Sequence, residues 1–87
     1  MEFEQIRLRI TSLVEDMKFV DELLAKKLGY ETRMWAIEEQ KTNPNFQDPD
    51  AQKVFVEQMQ RMKFNIENTE DLLKKVRAKI LRSMGRV

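Results

Sequence analysis

The sequence predicts an all-α fold: an antiparallel, coiled-coil-like hairpin of two long helices that associates into a four-helix or larger bundle. Three observations predict it. Apolar residues recur at alternating spacings of three and four in both halves of the chain, as in a helix with one buried stripe. Only two Gly and two Pro occur in 87 residues, with 41% hydrophobic and 36% charged residues, a composition of long amphipathic helices rather than of sheet or disordered tail. The two prolines, Pro44 and Pro49, fall close together near the middle and divide the chain into two long segments. A chain this short makes one domain, residues 1–87.

Helix 1 is expected over about residues 2–42. Its seam reads Phe3, Ile6, Ile10, Leu13, Met17, Val20 and Leu24, with Phe3, Ile10, Met17 and Leu24 at a and Ile6, Leu13 and Val20 at d. Around Gly29, which costs about 1 kcal/mol relative to Ala inside a helix, the seam degrades to Lys27 and Glu31. A kink or a change of face is expected there. The helix ends where Asn43 precedes Pro44 and is pushed out of the α region.

The loop, about residues 43–48, carries Phe46 at its apex, expected to fold back on Trp35 or Val54. Helix 2, about residues 49–84, opens with Asp48 as N-cap, Pro49 at the first helical position and Asp50 where the helix dipole favours negative charge. Its seam is Phe55, Met59, Met62, Ile66, Thr69, Leu73, Val76 and Ile80, and Gly85 is the expected stop. Asn68-Thr69-Glu70-Asp71 can also be read as a cap and acidic first turn, which would split this helix and give a three-helix protein. Antiparallel layers that pair Leu13 with Ile80, Val20 with Leu73 and Met34 with Met59 centre the loop between Phe46 and Gln47. The alternative register, shifted by one heptad, centres it on Asn43. Exposed pairs four residues apart, such as Glu22 with Lys26 and Glu70 with Lys74, are expected to add about 0.2–0.5 kcal/mol each.

The chain has no His and no Cys. That excludes disulfides, thiolate nucleophiles, Cys or His zinc ligation and imidazole base catalysis. No enzymatic activity, cofactor or metal is expected, and carboxylate groups such as Glu38-Glu39 read as a solvated face. No apolar run approaches the roughly 17–25 residues that span a bilayer, and the acidic start Met1-Glu2-Phe3-Glu4 is unlike a targeting peptide. A cytoplasmic location is expected.

Apolar residues outside the two seams suggest association. Leu23, Leu28, Tyr30, Trp35 and Ile37 flank the seam of helix 1, with Phe19 farther round, and Phe64 lies off that of helix 2. These seven are the expected contacts with a protein partner, either a second copy or a larger assembly. Sixteen basic against fifteen acidic residues leave a net charge of +1, yet Leu72 to Val87 holds Lys74, Lys75, Arg77, Lys79, Arg82 and Arg86 and no acid. These six are the expected contacts of the alternative function, binding nucleic acid or an acidic surface. In outline, two seams joined by the Asn43 to Pro49 loop resemble the needle subunits of type III secretion systems and the helical-hairpin core of phage small terminases. No diagnostic motif accompanies that outline, the charge content departs from that of needle subunits, and no family is assigned.

Overall fold

A computed structural model describes residues 2–85. Two long helices, α1 (Glu2–Glu39) and α2 (Pro49–Gly85), are joined by two short 3-10 turns, Gln40–Thr42 and Pro44–Gln47. They pack side by side into a rod of 68 × 14 × 14 Å.

Local chemistry sets each boundary. The last turn before the loop tightens to 3-10 geometry, where Thr42 Oγ1 donates to the Glu39 carbonyl at 2.7 Å and the Asn43 N–H to that of Gln40 at 3.0 Å. Asn43 is extended, with ψ 133°, as a residue before proline must be. Its Oδ1 accepts from the Asn45 N–H at 3.0 Å and caps the second turn. Asp48 then caps α2 as its position before Pro49 predicts: its Oδ1 accepts from the Asp50 N–H at 3.1 Å and its carbonyl from the Gln52 N–H at 3.1 Å. Gly85 is the last described residue, so the expected stop lies at the edge of the described chain.

The core is concentrated at the loop end. Ile37, Phe55, Met59 and Met62 are buried there, with Tyr30, Met34 and Phe46 packed against them. Phe46 folds back as expected, but onto Phe55, edge to face at 5.2 Å and 85°, rather than onto Trp35 or Val54. Lys41 Nζ sits 5.0 Å from the centre of the same Phe55 ring. Midway along the rod, Leu23 and Thr69 are buried; toward the free end, Leu13, Asp16, Val20, Leu73, Val76 and Ile80 are only half-buried.

All eight residues of the expected α2 seam face inward, buried or half-buried. The α1 seam differs. Its inward residues are Leu13, Asp16, Val20, Leu23, Lys27, Tyr30, Met34 and Ile37. Of the expected d positions Leu13 and Val20 hold while Ile6 is exposed, and the other half of the stripe is taken one residue earlier, so Phe3, Ile10, Met17 and Leu24 turn outward. Tyr30 takes the place of Glu31, while Lys27 stays in the stripe as expected, half-buried beside Glu70. One unbroken helix keeps one face from Leu13 to Ile37, and the expected change of face is absent.

α2 is likewise continuous through Asn68–Asp71, so the three-helix alternative does not occur. Thr69 instead satisfies its hydroxyl within the helix, donating to the Asn65 carbonyl at 2.8 Å. Two ion pairs join the helices, Asp16 to Lys79 at 2.9 Å and Lys27 to Glu70 at 3.4 Å. Both lie beyond the layers of the register pairing Leu13 with Ile80, Lys79 by two residues and Glu70 by four, so the helices are offset from that register by up to a turn. A one-heptad shift would carry them roughly 10 Å farther apart, beyond side-chain reach. The pairs expected four residues apart in sequence are not among the ion pairs of the described residues; Glu70 turns across to α1 instead of toward Lys74.

Candidate interaction surface

Among the described residues only five hydrophobic side chains are buried: Leu23, Ile37, Phe55, Met59 and Met62. The accessible surface is 7569 Å², against about 5,400 Å² for a compact monomer of this mass. The excess follows from the elongated shape, and exposed apolar residues on it fall in a regular pattern. Phe3, Ile10, Met17 and Leu24, displaced from the seam, form a second stripe with Val14, Leu28 and Trp35, rotated about 100° from the first. Their spacings follow threes and fours, with Arg7, Asp21 and Glu31 filling the remaining places. Each apolar member is at least 48% exposed, Leu28 64%, Trp35 78% and Phe3 85%.

The stripe continues onto α2 near the free end. Ile6, Arg9, Ile10 and Leu13 of α1 line a mostly apolar groove of about 280 Å³ with Ser83 and Met84. Met17 and Val20 line a second, of about 300 Å³, with Leu73, Arg77, Ile80 and Leu81. Both grooves open where the two seams are only half-buried, so this edge of the hairpin is incompletely closed.

The expected partner contacts divide three ways. Leu28 and Trp35 lie on the stripe, exposed and one heptad apart, flanking Glu31 and Thr32. Leu23 and Ile37 are buried within the hairpin at 3% and 6% exposure, and Tyr30 packs half-buried against its core. Phe19 and Phe64 are exposed away from the stripe, Phe64 on the face of α2 opposite its seam. The members that were not singled out as partner contacts, Ile10, Val14, Met17 and Leu24, are close to a heptad pattern of their own. That Leu23, Tyr30 and Ile37 recur every seven residues with Asp16 was the available signal that two stripes compete for the seam.

The basic residues do not share a side. Lys74, Lys75, Arg77, Lys79 and Arg82 spread over roughly 200° of the outer surface of α2. Among the described residues Lys79 is the one of these within 4.0 Å of a carboxylate, that of Asp16, while Arg77 lines the groove beside Met17. Arg82 Nε donates back to the Ala78 carbonyl at 3.4 Å; Arg86 lies outside the described residues. No helix among the described residues is long and apolar enough to cross a membrane, and no three acidic side chains among them converge as a metal site requires. Comparison with protein-family models, curated proteins and solved structures finds no match.

Proposed function

We propose that this protein is a non-enzymatic assembly subunit that works by helical-bundle association, with the second stripe of α1 as its contact surface. One observation carries this proposal: seven large apolar side chains stand exposed along a single helix face, at the spacing by which helices pack. Isolated exposed hydrophobics are ordinary on any surface. A stripe running most of a 38-residue helix is not. Association at this face would also close the two grooves at the free end, where the hairpin's own seam is thinnest.

Trp35 reports on this directly, because it is the single Trp of the chain and lies on the stripe. Association predicts a blue-shifted emission, protected from acrylamide, that relaxes toward a water-exposed spectrum on dilution. A fully helical monomer with Trp35 open to quencher at every concentration would overturn the proposal.

A further inference from the structure

Resting on that reading, we infer that the occupant of the stripe is a second copy of this chain, with the two α1 helices packed antiparallel about a two-fold axis near Phe19. The charge pattern carries the orientation. When the two α1 stripes face each other antiparallel with Ile10 opposite Leu28, Val14 falls opposite Leu24 and Phe3 opposite Trp35. In the same register Arg7 falls opposite Glu31. Every one of these layers occurs twice, once on each side of the axis, as an isologous interface demands. At the axis Met17 meets Asp21, within reach of Lys18 of the second copy.

The other arrangements are worse on the same residues. A parallel pair sets Arg7 against Arg7, Asp21 against Asp21 and Glu31 against Glu31. Each is a like-charge layer. Shifting the antiparallel pair by one heptad sets Glu31 opposite Val14 in one direction, and Leu24 opposite Arg7 with Ile10 opposite Asp21 in the other. The favoured register alone pairs six of the seven apolar members with one another and the outer charges with their opposites.

The area is sufficient. With roughly 150–250 Å² on each aromatic and somewhat less on each aliphatic side chain, their fractional exposures leave on the order of 800 Å² of residue surface per copy, comparable to the roughly 800 Å² per partner of a standard interface. α2 offers no equal surface on this edge. Its corresponding row carries the exposed Val56, Leu81 and Met84 only toward the ends, with Gln60, Lys63, Glu67, Glu70, Lys74 and Arg77 between them, so the pairing runs through α1.

The absence of native Cys makes the orientation directly readable. Val14→Cys and Leu24→Cys chains, mixed in equal amounts under a glutathione redox buffer, should form the mixed disulfide in several-fold excess over either symmetric one. An excess of the two symmetric disulfides, each joining two chains with the same substitution, would show a parallel pair, and a statistical mixture would show no preferred register; either overturns the inference. Because Trp35 shielding is scored separately on the chain without Cys, a shielded Trp35 with the wrong disulfide pattern rejects the register and leaves association standing. A control pair, Phe64→Cys with Leu24→Cys, should give no excess of the mixed product.

Discussion

At the scale of single residues, polar and small side chains hold the strongest positional information. Gly29 is helical, and a Cβ added there meets nothing within 4 Å. Gly29→Ala should therefore stabilise the protein by about 1 kcal/mol, read as a raised midpoint in urea, since it gains helix propensity without a clash. Thr69 is buried in the seam of α2 with its hydroxyl bonded within its own helix. Thr69→Val removes a buried polar atom at constant shape and should add about 0.5–1 kcal/mol. Phe46→Ala should cost about 1–2 kcal/mol, because it strips the edge-to-face contact that covers Phe55 at the loop end. The capping residues around these positions were legible in the sequence because their chemistry is local: Asn43 and Asp48 act on atoms two residues away. The target of Phe46 was not, because it depends on which face α2 presents.

At the scale of elements, α2 could be read completely and α1 only in half. Apart from its seam, α2 has scattered apolar residues, so one stripe dominates and periodicity identifies it. α1 offers two candidate seams that share Leu13, Val20 and Met34, one completed by Phe3, Ile10, Met17 and Leu24 and the other by Asp16, Leu23, Tyr30 and Ile37. By hydrophobicity alone the stripe of Phe3, Ile10, Met17 and Leu24 is the better one, and the structure instead turns Asp16, Leu23, Tyr30 and Ile37 toward α2. The reason lies in the partner. Asp16 and Lys27 meet Lys79 and Glu70 across the helices, and Ile37 completes the cluster with Phe55, Met59 and Met62 at the loop. A pair of variants separates the two stripes. Leu23→Glu buries an unpaired charge in a small core and should abolish most of the helical signal in circular dichroism. Leu28→Glu, one turn away in sequence on the outward stripe, should leave the helicity intact.

At the scale of the whole molecule, a 68 Å rod only 14 Å across cannot enclose the apolar residues it carries. The outward stripe of α1 is their organised remainder, and in the proposed dimer a second copy covers it. Apolar contact dominates such an interface, with exposed Arg7–Glu31 pairs contributing little, so the association should persist between about 0.05 and about 1 M salt. The most direct measurement is absolute mass by light scattering after size exclusion, across a wide range of protein concentration. The expected result is a discrete dimer of twice 10.5 kDa for the native chain and a helical monomer for Leu28→Glu. A native chain that stays a helical monomer at the highest concentrations, or a Leu28→Glu dimer as tight as the native one, would contradict the account.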